Sequence, residues 1–284
     1  HYCRIFLYLH SNLVMRKTVL ITGGSSGIGK SIGDFLVEKG FEVYGTSRFP
    51  KKYIDSKFPL LELDVADTAS INRCVKNLLK KVDDIDVLIN NAGVGITGPM
   101  EEIPIEEMKK NFDINLFGPI QMVNSVLPQM RLKKSGLIIN ISSIAGYMGL
   151  PFRGIYSGSK GALELITESY RMELKTFGVK MTTIAPGEFS TNIASRRFHS
   201  PLLKKSPYEK TYGPTLELLN SHVDKGDDPR LMARFVYKVI MKENPKTHYR
   251  VGAFLQKISI TLKKILPDSI FEYLLMSFYK LWHN

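Results

Sequence analysis

The feature that most restricts the fold is an alternation, beginning at Lys17, of short apolar, β-branched runs with segments of helical periodicity. Thr18–Ile21, Phe41–Thr46, Leu60–Leu63, Val87–Asn90, Leu137–Ser142 and Val179–Ala185 read as strands, with Lys246–Val251 as a candidate seventh. Runs this short and this continuously apolar suit a sheet covered on both faces. Between them, Ile28, Ile32, Phe35 and Leu36 share one helical face ahead of a Gly40 stop. Asp67 or Thr68 can cap a helix carrying Ile71, Val75, Leu78 and Leu79. A helical stretch from Ile105 to Gln129 is interrupted at Gly118-Pro119, and another from Ile155 to Phe177 is closed by Gly178. This order implies an α/β fold, a doubly wound parallel sheet in a single domain over residues 17–252, since no repeat or linker divides it.

Two flanking segments stand outside that pattern. Residues 1–16 are apolar and weakly basic, too short to span a bilayer and without a small-residue cleavage site. With Met15-Arg16-Lys17 resembling a natural start, they are expected to be an appended segment outside the fold, a peripheral anchor being the lesser reading. Residues 253–284 form an amphipathic, helical C-terminal extension, with Phe254, Leu255, Ile258, Leu262, Ile265 and Leu266 on one face and Lys257, Lys263 and Lys264 interspersed. Charges interrupt it, so it is not a transmembrane span; a lid, a subunit contact and an interfacial membrane helix all stay open.

The net charge is +12. A basic surface attracts nucleic acid, anionic lipid or an acidic substrate. No nucleic-acid-binding motif is present, so a nucleic-acid partner is not expected. The two cysteines, Cys3 and Cys74, have neither metal-ligand spacing nor a disulfide framework, which points to a reducing, cytoplasmic setting and to no metal.

The first strand runs into Thr22-Gly23-Gly24-Ser25-Ser26-Gly27-Ile28-Gly29 and then a helix. Glycines let a backbone approach a pyrophosphate closely, and the helix N-terminus offers it unpaired N–H donors. Where an NAD-binding chain would place an acidic residue after the second strand, this one has Thr46-Ser47-Arg48. A guanidinium beside a hydroxyl suits the 2′-phosphate of NADP(H).

The chain resembles the short-chain dehydrogenase/reductase family from Lys17 to about Val251, with a Rossmann-like fold implied. The family's T-G-x-x-x-G-x-G stands as Thr22, Gly23, Gly27 and Gly29, its N-N-A-G as Asn90, Asn91, Ala92 and Gly93, and its adenine-contacting pair as Asp64-Val65. Tyr156 and Lys160 form Y-x-x-x-K, Ser143 precedes the tyrosine, and Asn115 lies in Asp113-Ile-Asn115-Leu-Phe-Gly118. Pro186-Gly187 matches a P-G that borders the nicotinamide, with Thr191 placed to reach its carboxamide. The resemblance implies a cofactor site that includes Ser25, Ser26, Ile28, Ser47, Arg48, Tyr156 and Lys160, a small-molecule substrate, and a homodimer or homotetramer.

Spaced four apart on a helix, Tyr156 and Lys160 project from one face. A free phenol is a poor base at neutral pH, and a neighbouring ammonium stabilises its anion. The residues therefore suit proton transfer during carbonyl reduction, with Ser143 holding the substrate oxygen. By resemblance, Lys160 also contacts the nicotinamide ribose and Asn115 orients a water in a proton relay. Met148-Gly-Leu-Pro-Phe152 is similar to the estradiol 17β-dehydrogenase and retinol dehydrogenase subgroup, which implies an apolar steroid-, retinoid- or lipid-like ketone, aldehyde or alcohol. A variable substrate loop is expected over residues 188–226, with Phe189, Phe198, Leu202, Leu203 and Tyr208 as lining candidates and Arg196, Arg197, Lys204 and Lys205 as candidates for an acidic tail. A catalytically inactive NADP(H)-sensing protein of the same fold is the alternative, as is a related nucleotide-sugar epimerase.

Overall fold

The computed structural model describes residues 16–190, 197–224 and 226–281. Its elements run β1 (Thr18–Ile21), α1 (Gly27–Glu38), β2 (Glu42–Ser47), β3 (Leu60–Glu62), α2 (Thr68–Leu78), β4 (Val87–Asn90), β5 (Ile96–Thr97), α3 (Ile105–Phe112), α4 (Gly118–Lys133), β6 (Gly136–Ile141) and α5 (Gly154–Glu173). There follow β7 (Val179–Pro186), β8 (Phe198–His199), α6 (Glu209–Asp224), α7 (Pro229–Ile240), β9 (His248–Val251), α8 (Phe254–Ile265) and α9 (Asp268–Phe278). Seven strands form one sheet in the order β3-β2-β1-β4-β6-β7-β9, every neighbour parallel. The order reverses between β1 and β4, and a crevice opens beyond the strand ends at such a switch point.

Alternation along β1 shows why the sheet is covered twice. Val19 and Ile21 face one core with Ile32 and Leu36 of α1 and Met232, Val236 and Ile240 of α7. Leu20 faces the other, with Ile71 and Leu78 of α2 and Met122 and Val126 of α4. Successive strand residues point to opposite faces, so a strand buried on both sides reads as an unbroken apolar run. Each such side chain removed from water stabilises the fold by about 1.5–3 kcal/mol.

Three expectations need correction. Gly118-Pro119 does not break the helical stretch: one π-helical turn, Asp113–Phe117, joins α3 to α4, and Pro119 sits in the first turn of α4, where a missing N–H is harmless. Residues 188–226 are not simply loop, since they contain α6 and β8, which pairs with β5 as a separate two-stranded ribbon. The C-terminal extension is helical, but only part of the expected face packs inward: Leu262 and Leu266 lie against the Ile144 and Met148 cluster. Phe254, Leu255 and Ile265 are exposed, whereas Ile260 and Phe271 are buried against Ile144 and Met148. Gln256 also turns inward: its Oε1 accepts from the Glu188 N–H at 3.2 Å and its Nε2 donates to Glu188 Oε2 at 3.1 Å. Residues 1–15, and the Trp282 end of the extension, lie outside the described residues.

Candidate active site

A cleft of about 710 Å³ opens at the switch point. At one wall, β1 delivers the chain into the glycine turn, where Gly23 takes a left-handed φ of 66°. The turn is tied to the next strand end by Thr22, whose Oγ1 accepts from the Asn91 and Ala92 N–H groups, each at 3.0 Å. Asn91 Nδ2 donates back to the carbonyls of Thr22 (3.0 Å) and Gly23 (3.2 Å). A Cβ at Gly29 would collide with that same amide and with the Gly23 carbonyl, so only glycine lets the helix pack here. Thr22 and Gly29 therefore build the turn from behind rather than line the cleft.

Gly23, Ser25, Ser26, Gly27, Ile28, Ser47, Arg48, Asp64, Val65, Asn91, Ala92, Gly93, Pro186 and Gly187 all line it. Ser26, the residue before α1, makes no side-chain cap, so the first-turn N–H donors of α1 are not satisfied by a capping side chain. Uncapped donors in a glycine cradle fit the pyrophosphate of a dinucleotide. Arg48, exposed at the end of β2, stands where a ribose-binding acid would stand, with Thr46, Ser47 and Lys52 beside it on the wall. Asp64 Oδ1 accepts from the Ala66 N–H at 3.0 Å. Thr191 lies outside the described residues.

The opposite wall carries Ser143, Tyr156 and Lys160. Ser143 begins a short turn after β6 and accepts from the Ala145 N–H at 3.1 Å, which leaves its hydroxyl hydrogen to donate. Tyr156 and Lys160 come from the first turns of α5, and with Ser143 they line the same cleft. Lys160 Nζ is buried and donates to the Ile141 carbonyl at 2.9 Å. Burial pushes its ammonium below the usual lysine range, and attraction to Tyr156 and Glu164 opposes that shift. Asn115 is fully buried in the π turn and lines no part of the cleft. Its amide is occupied by Val94, accepting from the N–H and donating to the carbonyl, both at 2.9 Å, and it also reaches Asn111 and Ser159. A Cβ at Gly93 would lie 3.1 Å from Asn115 Oδ1 and 3.4 Å from Lys160 Nζ, so both stand at the back of that glycine.

Three comparisons with known proteins bear on this cleft. The family model for short chain dehydrogenases matches residues 17–201. The chain belongs to the short-chain dehydrogenase/reductase family. It is 37% identical over 264 residues to 3-ketodihydrosphingosine reductase of Bacteroides thetaiotaomicron, covering 93% of this chain and 98% of that one. It is 32% identical over 253 residues to NADPH-dependent 3-dehydrocapnine reductase of Ornithobacterium rhinotracheale, covering 83% and 88%. Retinol dehydrogenase 8 of Bos taurus is 29% identical over 274 residues, covering 89% and 86%. Among solved structures, a short-chain dehydrogenase from Streptomyces avermitilis superposes with a TM-score of 0.77 at 30% identity, covering 93% and 98%. The chain is thus an oxidoreductase acting on carbonyl or alcohol groups of small molecules, with a nicotinamide dinucleotide as cofactor.

In this short-chain dehydrogenase the substrate end differs from the sequence expectation. Phe189 and Phe198 line the cleft as expected. Leu202 and Leu203 do not; both are exposed, on a segment that leaves the wall. Tyr208 packs edge-on against Phe152, with centroids 6.3 Å apart, instead of facing the cleft. Sequence reasoning missed Arg153, Glu188 and Leu219, all of which line it, and Arg196 lies outside the described residues. Only Arg153, three residues before Tyr156 in the chain, carried a local signal.

Also missed was an ionic cluster around the buried Glu164, behind Tyr156 and Lys160. Glu164, one helical turn beyond Lys160, faces His248 of β9 at 2.6 Å and accepts from Thr183 Oγ1 at 2.6 Å and Tyr147 OH at 3.0 Å. The other ring nitrogen of His248 faces Glu168 at 2.9 Å. The hydrogen bond to Glu164 leads in raising the His248 pKa above its ordinary value. Burial pushes the Glu164 carboxyl up, but its bonds to His248, Thr183 and Ser142 outweigh that and leave it lowered. A raised histidine contributes stability that is complete below its unfolded pKa of about 6.5 and lost as pH rises through the folded value. A lowered carboxyl contributes stability that is present above about 4.3 and lost as pH falls through its folded value. Urea unfolding should therefore show stability falling from pH 6 towards pH 9, and His248→Gln should flatten that fall by about 1 kcal/mol, the ring being partly solvated. Parallel pH profiles for the two proteins would contradict the assignment.

Proposed function

We propose that this chain is an NADP(H)-dependent reductase of lipid-like ketones, working in the cytoplasm as a homodimer or homotetramer. The convergence of Ser143, Tyr156 and Lys160 on a wall of the cleft that starts at the glycine turn carries the reading. The reduced nicotinamide supplies the hydride. Ser143 donates a hydrogen bond to the substrate oxygen and holds it within reach of the Tyr156 hydroxyl, which gives up its proton to the forming alkoxide. The buried Lys160 ammonium stabilises the phenolate left behind and would hold the cofactor ribose. Reprotonation runs through Lys160 towards solvent by a water beside Asn115; with its side-chain amide occupied, Asn115 offers that water its backbone carbonyl.

Selection of NADP(H) rests on Arg48 and Ser47 at the end of β2, with no carboxylate among the cleft-lining residues between positions 46 and 53. A lipid-like ketone is supported by the apolar lining of Ile96, Phe189, Phe198 and Leu219, and by the names of the two bacterial reductases it resembles. Exposed Phe254, Leu255, Ile265, Tyr273 and Phe278 beside Lys257 and Lys264 favour contact with a lipid surface, from which such a substrate would enter. No described helix is long and apolar enough to cross a membrane. The rival, a cofactor-sensing protein without turnover, has no need of the Tyr156/Lys160 pair. Assay of purified protein with long-chain 3-ketones is expected to consume NADPH with kcat/KM at least tenfold above that for NADH, the size of one charge-assisted bond. No consumption with any ketone of graded chain length would overturn the reading.

A further inference from the structure

We infer that Arg153 and Arg197 form an anion clamp beside Tyr156, so that the ketone carries an anionic headgroup, sulfonate, carboxylate or phosphate, within a few bonds of its carbonyl. This deepens the proposed reductase reading and rests on it for the identity of the reacting group, but the clamp itself is a matter of geometry. Arg153 precedes α5, and its guanidinium carbon lies 5.0 Å from the Tyr156 ring centroid. Arg197 approaches from the chain that enters β8. Its stem is packed on the loop after β4, since a Cβ at Gly95 would lie 2.8 Å from Arg197 Cγ. Both side chains line the cleft.

Both guanidiniums line the cleft, close enough for Arg153 to repel Arg197, and among the described residues their charge is not fully countered. Arg197 Nη1 is buried and has no hydrogen-bond partner among the described residues. Burial, and then repulsion from Arg153, depress the Arg197 pKa to about 10. Glu188 is the acid that attracts Arg197, and one carboxylate against two guanidiniums leaves a net positive charge. Part of that carboxylate is taken by Gln256 of α8. The neighbouring tyrosines add no charge: Tyr212 donates its hydroxyl to the Thr97 and Ser200 carbonyls, and burial pushes the Tyr279 phenol up. A buried donor without a partner is costly, and like charges side by side add to that cost. An anion between the guanidiniums removes both penalties through charge-assisted, two-pronged bonds. Arg153 sits over the Tyr156 ring and the Arg197 stem packs on Gly95, whereas neither arginine touches the glycines of the turn after β1, which assigns the clamp to substrate rather than to cofactor phosphates. Because Arg153 covers the very ring whose hydroxyl serves the carbonyl, headgroup and ketone must be close neighbours.

The test is calorimetric binding to the full chain with NADP⁺ present, using decane-1-sulfonate, decan-1-ol and inorganic sulfate as probes. Decane-1-sulfonate should bind at least 30-fold more tightly than decan-1-ol, and Arg197→Gln should erase that preference while Arg197→Lys restores part of it, as expected for a desolvated charge pair. Sulfate alone should bind weakly; binding as tight as that of the alkyl sulfonate would mean a site for free anions and overturn the substrate assignment. Equal affinity for sulfonate and alcohol, or an unchanged preference in both variants, would overturn the clamp. Turnover of 2-oxododecane-1-sulfonate against tridecan-2-one separates the two claims. Sulfonate binding without reduction of either ketone would sink the reductase reading and leave the clamp, whereas equal reduction of both would do the reverse.

Discussion

Tyr156→Phe is expected to lower kcat by roughly 10²–10⁴-fold, the span of a positioned general acid, while leaving the affinity for NADPH within about threefold of the parent. The substitution keeps the ring that packs with Ile96, Ile103 and Ala145 and lies under Arg153, and removes only the hydroxyl. A variant that folds, binds cofactor and fails to turn over therefore isolates the proton. The buried position of Lys160 sharpens the expectation: an ammonium whose charge is already disfavoured by burial has its strongest stabilising partner in a phenolate formed at Tyr156. Turnover within about tenfold of the parent would mean that another group protonates the alkoxide, outside the usual range for a lost general acid.

The second large effect is expected at Arg48. Arg48→Asp should raise KM for NADPH by about 10–100-fold, the loss of one or two bonds to a charged group, with kcat nearly unchanged. KM for NADH should fall, because a carboxylate at the end of β2 can accept from a free ribose hydroxyl. Arg48 is exposed, so its contribution is screened and should shrink as ionic strength rises. Steady-state kinetics with both cofactors at two salt concentrations reads this directly. An unchanged NADPH/NADH ratio would place the 2′-phosphate elsewhere, with Lys52 as the next candidate on that wall.

Legibility in the sequence followed the range of the interaction. β1, β4 and the helix α1 were readable because burial on both faces and 3.6-residue periodicity are local patterns, and β9 was correctly anticipated at Lys246–Val251. The glycine turn, Ser143, Tyr156 and Lys160 were readable because their spacing is itself the geometry: four residues on a helix, or a turn between strand and helix. The π turn at Asp113–Phe117 was not, since Gly118-Pro119 gives the same signal for a break as for a fresh helix start. Nor was the ribbon of β5 and β8, whose strands are two residues long and mean nothing until residues far apart in the chain meet. The face of α8 was legible only in part. Periodicity picks out Leu262 and Leu266, which do pack, but it ranks apolar residues and so passes over the inward Gln256 and its bonds to Glu188. Arg153, Arg197 and Tyr279 come from three separate parts of the chain, and only folding makes them neighbours.

In the proposed reaction a hydride passes from a reduced nicotinamide to a long-chain ketone and Tyr156 supplies the proton. The ketone assay run with NADPH deuterated at the nicotinamide C4, on the transferring face, and read by mass spectrometry tests it most directly. The account predicts an alcohol that carries deuterium on its carbinol carbon, from one of the two C4 diastereomers only. An alcohol free of label from both diastereomers, or consumption of NADPH with the ketone unreduced, would contradict it.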